Sequence, residues 1–122
     1  MIEHRRLRVY VAGPISGNVF ENVFAAIRMG KRMVMDGLAP YVPHFDAFMF
    51  PAPDEVSWNA FLEWDLEWVA QTEAMFMMPW WETSKGAALE RSRAEALGIP
   101  VFAVYEDLLD HAESLNLTGV RR

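Results

Sequence analysis

The segment LRVYVAGPISG, residues 7–17, decides how this chain is expected to fold. Its first half is an apolar run with one charged residue, Arg8, and such a run is typical of a strand buried on both faces of a parallel sheet. A Gly-Pro-Ile-Ser-Gly turn follows at residues 13–17, and a helix-like pattern begins at about Asn18. Strand, turn and helix in this order predict a parallel α/β domain.

The rest of the chain repeats this alternation. Ser57 is the expected N-cap of the second helix, and Gly37 and Gly98 are expected to end the first and third helices. We predict one Rossmann-like (flavodoxin-like) α/β domain of three layers over residues 1–122, with four to five parallel strands in the order 2-1-3-4. The predicted strands are 7–12, 39–42, 74–78 and 100–105, and the predicted helices are 18–36, 57–72, 86–98 and 106–115. The apolar residues near helical spacing in the first helix are Phe20, Phe24, Ile27 and Val34.

The composition excludes several classes of protein. Apolar residues make up 52% and charged residues 23% of the 122 residues, as in globular domains. Cysteine is absent, which excludes disulfides, cysteine nucleophiles and thiolate zinc sites, and we expect a cytoplasmic protein. The net charge of −6 argues against a DNA or RNA partner. We expect no membrane partner, because the longest stretch without a charged residue, residues 9–20, is shorter than the about 20 apolar residues of a spanning helix.

Two carboxylates fall on the apolar faces of predicted helices. At about 100° per residue, Asp65 lies in the middle of the apolar arc of the second helix, and Glu90 projects into the inner arc of the third. Because an unpaired buried charge is costly, Asp65 either has a helix cap or an arginine as its partner or faces a cleft. Glu90 either pairs at the surface with Arg91 or Arg93, or is an ionised nucleophile stabilised by the positive end of its helix.

Three loops are expected to meet at the carboxyl ends of the strands, where parallel α/β proteins bind ligands. They are the turn at 13–17, the segment 43–53, which we predict to be an ordered loop, and the loop at 80–86. His44 and Asp46 of the middle segment are candidate ligand contacts. The three histidines of the chain show no metal-ligand spacing, so we expect neither a metal site nor a cofactor.

The tripeptide Ser84-Lys85-Gly86 precedes the third helix. It offers a hydroxyl group, an ammonium group and free backbone N–H groups, which together suit a small anion at a helix N-terminus. A lysine at this end opposes the helix dipole, and a bound anion would reverse that penalty. The alternative is a lysine that is simply solvated.

The second helix carries an apolar arc that is too wide for one face of a sheet. Trp64 and Trp68 lie on the side away from Leu62 and Leu66. Exposed tryptophans of this kind are typical of an interface core, so we predict a homodimer or higher homo-oligomer assembled through helix 57–72. The alternative is that the phenylalanines of the loop before this helix cover the tryptophans.

The opening VYVAGPISG, residues 9–17, resembles that of nucleoside 2-deoxyribosyltransferase-like proteins. Two later stretches resemble the second half of that family: WDL at 64–66 and EAMFMMPWWETSKGAALE at 73–90. The resemblance extends to about residue 102 and looks closest to a small, often phage-associated branch without assigned function. Deoxynucleoside 5′-monophosphate N-glycosidases and cytidylate N-glycosidases are similar at a greater distance.

This resemblance implies roles for individual residues. Glu90 stands at the position of the family's nucleophile, which attacks the anomeric carbon of the sugar, and Asp65 matches the carboxylate that assists at the base or orients the nucleophile. Ser16 replaces an arginine of the monophosphate enzymes, and Trp80 replaces a common glycine. The predicted substrate-binding residues, from position in the chain and from the resemblance, are Tyr10, Gly13, Ile15, Ser16, His44, Asp46, Ser84, Lys85 and Gly86.

The resulting hypothesis is an enzyme that cleaves the N-glycosidic bond of a nucleoside or nucleotide through a glutamate-bound sugar and transfers the deoxyribosyl group to another base. A second hypothesis with the same chemistry is a nucleoside 5′-monophosphate N-hydrolase. Two hypotheses of other classes are a non-catalytic nucleotide sensor and an interaction module built on the tryptophans. Two carboxylates in one cleft favour an enzyme, because a receptor for anionic ligands has no need of two acids.

Overall fold

Four parallel strands form the central sheet of this protein, in a computed structural model that describes residues 5–49 and 57–117. The strands are β1 (Arg8–Ala12), β2 (Ala39–Tyr41), β3 (Ala74–Met77) and β4 (Val101–Phe102). Their order is β2-β1-β3-β4, which confirms the predicted order. Val9 lies opposite Pro40 on one side and Ala74 on the other, so β1 is paired with both β2 and β3.

Helices cover both faces of this sheet. They are α1 (Val19–Met35), α2 (Trp58–Val69), α3 (Lys85–Ala96) and α4 (Tyr105–Ser114). Because successive strand residues point to opposite faces, Val9 and Val11 pack with α1 and α4, whereas Tyr10 and Ala12 pack with α2 and α3. The result is the Rossmann-like, three-layer α/β architecture that the sequence predicts. Among the residues described, no helix has the length and apolar character that crossing a membrane requires.

The large apolar residues of helix α1 do not lie on the face that packs against the sheet. Phe20 is 79% exposed and Phe24 is 56% exposed, so the spacing of the large residues is misleading here. A Cβ atom on Gly30 would lie 2.8 Å from Cγ2 of Val42, which means that the helix approaches β2 too closely for a side chain at this position. Close packing therefore favours a face without aromatic side chains, and the buried residues of the helix are Val23, Ala26, Gly30 and Met33.

Three predicted element bounds are also corrected. The segment predicted to be a loop forms a 3₁₀ helix over Pro43–Met49, while residues 50–53 lie outside the described residues. The second helix ends at Val69 and not at residue 72, as predicted. The fourth strand contains only Val101–Phe102, because Tyr105 instead begins α4, where its hydroxyl donates a hydrogen bond to Asp36 Oδ2 at 2.6 Å.

Trp80, directly after β3, has an unfavourable backbone conformation. Its φ angle is 69°, in the left-handed region, and the residue is 73% exposed. This conformation costs a residue with a Cβ atom about 1–2 kcal/mol. Because so much of Trp80 is exposed, little packing of the indole ring offsets this cost.

We expect the free energy of unfolding of the Trp80→Gly variant to exceed that of the Trp80→Ala variant by about 1 kcal/mol. Both variants remove the indole ring, but only glycine relieves the backbone strain. Urea unfolding of the two variants side by side measures this difference. Equal stabilities would show that the backbone at this position is not strained.

Candidate active site

A cavity of about 630 Å³ opens at the carboxyl end of the sheet. It is bordered by the turn after β1, the 3₁₀ segment Pro43–Met49, the first half of α2 and the N-terminus of α3. The loops that the sequence places at this edge therefore do meet there. The predicted site residues that line the cavity are Gly13, Ile15, Ser16, Asp46, Ser84, Lys85, Gly86 and Glu90. The cavity is also lined by residues that were not predicted to bind substrate, among them Val19, Trp58, Phe61 and Leu62.

Glu90 lies at the floor of this cavity. It is only 5% exposed, and it shares the inner face of α3 with Ala87 and Ala94, whose small side chains one turn away leave room for it against the sheet. The hydroxyl group of Tyr10, at the centre of β1, donates a hydrogen bond to Glu90 Oε2. A surface ion pair with Arg91 or Arg93 does not describe Glu90, because Glu90 is buried and Arg91 instead lies 3.3 Å from Glu95. No ion pair of Glu90 occurs among the described residues.

The surroundings of Glu90 favour its protonated form. Burial raises its pKa to about 8; the hydrogen bond from Tyr10 acts in the opposite direction, and the nearby charge of Asp46 adds to the rise. Burial of Glu90 therefore opposes the predicted stabilisation of its ionised form by the helix end. Lys85 begins the helix, so Glu90 lies in its second turn, beyond the first turn to which the dipole effect is confined.

Tyr10 supports Glu90 from beneath and does not line the cavity. It is fully buried, and burial raises its pKa well above 10, so that it stays a proton donor. Its ring stacks on that of Tyr41 with centroids 5.5 Å apart, and Tyr41 stacks in the same way on Trp68 at 5.5 Å. The prediction of a direct substrate contact through Tyr10 is corrected on this point, because its hydroxyl is directed at Glu90.

Asp65 and Asp46 form a pair of buried carboxyl groups. Asp65 lies on the buried stripe of α2 between Phe61 and Val69 and is 7% exposed, while Asp46 is 4% exposed and lines the cavity. The two carboxyl groups lie close enough to share a hydrogen bond once one of them is protonated, because an ionised carboxylate can only accept. The partner of Asp65 is thus another acid, not a helix cap or an arginine.

Burial is the main influence on the ionisation of this pair. It raises the pKa of Asp65 to about 9, and the hydrogen bond and the charge of Asp46 act in the same direction. Burial also raises the pKa of Asp46, although its hydrogen bond with Asp65 lowers it. Within the described ranges, no N–H or O–H group of another residue reaches Asp46 Oδ2 or Asp65 Oδ1, and both atoms are buried.

His44 lies behind the turn that follows β1 and is not among the residues that line the cavity. It is 1% exposed, and burial lowers its pKa to about 4, against weaker effects of backbone hydrogen bonds with Pro14 and Gly13. A Cβ atom on Gly13 would lie 2.6 Å from Cβ of Met78 and 3.5 Å from Nε2 of His44. His44 therefore supports the turn as a neutral imidazole, and its predicted role as a ligand contact is corrected.

The N-terminus of α3 forms one wall of the cavity. Ser84 is the N-cap, and its hydroxyl oxygen accepts a hydrogen bond from the backbone N–H of Ala87 at 3.1 Å. Lys85, predicted to precede the helix, is its first residue, and its Nζ lies 5.5 Å from the ring centroid of Trp58 across the wall. In the described part of the lining, Lys85 is the basic residue, and it lies on the rim with its ammonium group exposed to solvent.

The pairing of Asp46 with Asp65 and the lining role of Trp58 were missed by reasoning from the sequence. Asp46 was a candidate only as a ligand contact, and no periodic pattern relates a residue in a 3₁₀ segment to one on a later helix. In the ranges that the structure describes, no group of three or more acidic or histidine side chains is arranged to hold a metal ion.

The comparisons with known proteins give one match. Residues 7–103 match the family described as a domain of unknown function, DUF4406. No curated protein and no solved structure matches the chain. The matched residues extend from the start of β1 to the end of β4 and include Tyr10, Asp46, Asp65 and Glu90. Since the match covers most of the chain, this protein belongs to the DUF4406 family.

Proposed function

We propose that this protein cleaves the N-glycosidic bond of a (2′-deoxy)nucleoside or nucleotide through a sugar ester on Glu90 and passes the deoxyribosyl group to another base. The observation that carries the proposal is the position of Glu90, which is buried at the floor of the cavity and accepts a hydrogen bond from Tyr10. Glycosyl transfer with a covalent intermediate uses one carboxylate as nucleophile and a second carboxyl group for proton transfer. The pair formed by Asp65 and Asp46 supplies the second group.

The proposed reaction has two steps. In the first, a carboxylate oxygen of Glu90 forms a bond to the anomeric carbon while the bond from that carbon to the base breaks and its electron pair leaves with the base. In the second, a nitrogen of another base attacks the same carbon, and the ester bond to Glu90 breaks. Water in place of the second base would make the protein a hydrolase.

The cavity is compatible with a ligand of this size. Its volume of about 630 Å³ falls within the range of small-molecule sites, and its lining combines apolar side chains such as Phe61 with a few polar groups. A 5′-monophosphate as substrate is the second candidate. The N-terminus of α3 favours this candidate, because a helix N-terminus with a nearby cation suits a phosphate. Ser84 is the cap of this helix, and Lys85 lies on the rim of the cavity.

The test is incubation with a panel of nucleosides and nucleoside 5′-monophosphates, each with and without a free acceptor base, followed by chromatography. We expect release of the base, and formation of a new nucleoside when an acceptor is present. A preference for monophosphates that Lys85→Gln removes would favour the second candidate. Tight nucleotide binding without any base release would instead identify a sensor, and no binding at all would leave the interaction module.

We further propose that the protein assembles as a homodimer or higher homo-oligomer through α2. Trp64 is 36% exposed and Trp68 is 45% exposed, although Phe45 of the 3₁₀ segment Pro43–Met49 borders the same groove as Trp64. The alternative that this segment covers both tryptophans is therefore not met in the described residues. Residues 50–53 of the predicted loop lie outside them.

Trp64→Glu is the variant that checks this interface. We expect light scattering at micromolar concentration to give at least twice the chain mass of 14.0 kDa for the unmodified protein and the mass of one chain for the variant. Trp64 is preferable to Trp68 as the site of substitution because Trp68 stacks on Tyr41. Unmodified protein that scatters as a single chain would contradict the proposal.

A further inference from the structure

We propose that Asp46 is the group that passes a proton to the leaving base, and that Asp65 acts through Asp46 as a positioning residue that keeps the proton on the pair. This inference rests on the proposed function and assigns the proton transfer to a residue outside the two helices that carry Asp65 and Glu90. It starts from which of the two paired carboxyl groups borders the cavity.

The position of the two acids separates their roles. Asp46, in the 3₁₀ segment, lines the same cavity as Glu90, whereas Asp65 is not among the lining residues. Asp46 is nevertheless only 4% exposed, so the surrounding protein holds its carboxyl group in place. A base bound above Glu90 would therefore meet Asp46 first, with Asp65 on its far side.

The hydrogen bonding of the pair points to a shared proton. Asp46 Oδ2 and Asp65 Oδ1 have no donor from any other residue of the described ranges, although both atoms are buried. With both groups ionised, these oxygens would carry two uncompensated charges close together, which is strongly unfavourable in a buried site. One proton on the pair removes this cost and leaves a carboxyl group with a proton to donate.

Other titratable groups lie near the pair, and Glu90 acts on it directly. The nearby carboxyl of Glu90 raises the affinity of Asp65 for its proton, so the pair and Glu90 are expected to hold different charges during the reaction. The titratable and charged groups that interact with Asp46 or Asp65, or share a cavity lining with Asp46, are Tyr10, Lys31, Tyr41, Lys85 and Glu90.

The proton then follows a closed path. As the bond from the sugar to the base breaks, its electron pair goes to the base. The single proton of the pair passes from Asp65 through the carboxyl group of Asp46 to that base, which leaves neutral. Both acids of the pair are then ionised. When an acceptor base attacks the sugar ester, the acceptor's N–H proton passes to the pair, and the ester's electron pair returns to Glu90. Water would restore the proton in the same way.

The test compares Asp46→Asn, Asp65→Asn and Glu90→Gln across pH 5–10, with the substrate that the panel identifies as the fastest. General acid catalysis contributes on the order of 10²–10⁴-fold, so Asp46→Asn should lower kcat by that factor and remove the alkaline limb of the pH profile. Asp65→Asn should keep a measurable rate but move the alkaline limb to lower pH, because Asp46 then holds its proton less tightly. Asp46→Glu should restore part of the rate.

Failure of the proton assignment and failure of the proposed function give different results. If Asp46→Asn retains the rate and the alkaline limb while Glu90→Gln is inactive, the proton comes from elsewhere and the inference is wrong. If Asp65→Asn alone removes the limb, Asp65 donates directly and the inference is also wrong. If Glu90→Gln remains active, the proposed function itself fails. Carboxyl ¹³C NMR titration decides the pairing without any substrate: loss of the high-pKa titration of Asp65 in Asp46→Asn supports the pair, and an unchanged titration refutes it.

Discussion

Glu90→Gln is expected to abolish turnover and to leave the fold intact. Glutamine fills the same space on the inner face of α3 and can still accept from Tyr10, but its amide cannot form the sugar ester. Loss of a covalent nucleophile lowers kcat by on the order of 10⁴-fold or more. The measurement is base release from the substrate that the panel identifies, with circular dichroism to confirm the fold.

Glu95→Gln is the matched control for this variant. Glu95 lies on the same helix but is exposed and pairs with Arg91 at the surface, so its loss should leave the rate unchanged. The pH profile adds a second check, because Glu90 must be ionised to attack the sugar. Burial raises its pKa to about 8, so kcat/KM of the unmodified protein should fall as the pH falls through that value. A Glu90→Gln protein with near-normal rate would rule out this nucleophile.

The free energy of unfolding is expected to fall, not rise, between about pH 6.5 and 9, by a few kcal/mol. Burial raises the pKa of Asp65 to about 9 and that of Glu90 to about 8. The folded chain therefore binds more protons than the unfolded chain over this range, and stability decreases as the pH rises through the folded pKa values. Burial lowers the pKa of His44 to about 4. This histidine therefore makes stability rise with pH, but only below its ordinary pKa of 6.5.

Asp65→Asn isolates the largest contribution to this decline. Asparagine stays neutral and its amide can donate to Asp46, so the variant should be more stable than the unmodified protein at pH 9 and should depend less on pH. Urea unfolding at several pH values measures the effect, and Glu67→Gln, on the exposed face of the same helix, is the control. Stability that rises from pH 6.5 to 9, or that is the same in both proteins at pH 9, would contradict the buried protonated pair.

Both predictions concern the same compromise. Buried acids that must change protonation state during a reaction reduce the stability of the folded chain at the pH where they are ionised. Variants that neutralise Asp65 or Glu90 should therefore gain stability as they lose activity. A structural role for these residues would give the reverse, because their loss would then destabilise the fold.

Local and periodic patterns predicted much of the fold. The apolar run Leu7–Ala12 and the alternation of strands and helices led to the strand order, because right-handed crossovers leave few topologies. Ser57 was predicted as the N-cap of α2, and its hydroxyl accepts a hydrogen bond from Ala60 at 3.1 Å. Helical periodicity also predicted that Asp65 and Glu90 face inward, and both are buried.

Periodicity was less informative where the closeness of two elements decides which residues are buried. The large residues Phe20 and Phe24 marked one face of α1, but the small residue Gly30 allows the helix to approach β2 with another face. A pattern of side-chain size along a single helix contains no information on how near the neighbouring strand lies.

The sequence by itself determined the order of the strands and the inward direction of Asp65 and Glu90, because both depend on spacing along one segment. Only the tertiary structure decided their chemical state and their partners. Asp46 meets Asp65 because the 3₁₀ segment Pro43–Met49, packed on α1 and β1, brings its acid to the buried face of α2. Tyr10 donates to Glu90 because β1 lies beneath α3. Ionisation depends on the burial and charge that several distant segments create together, and no local pattern in a chain records that sum.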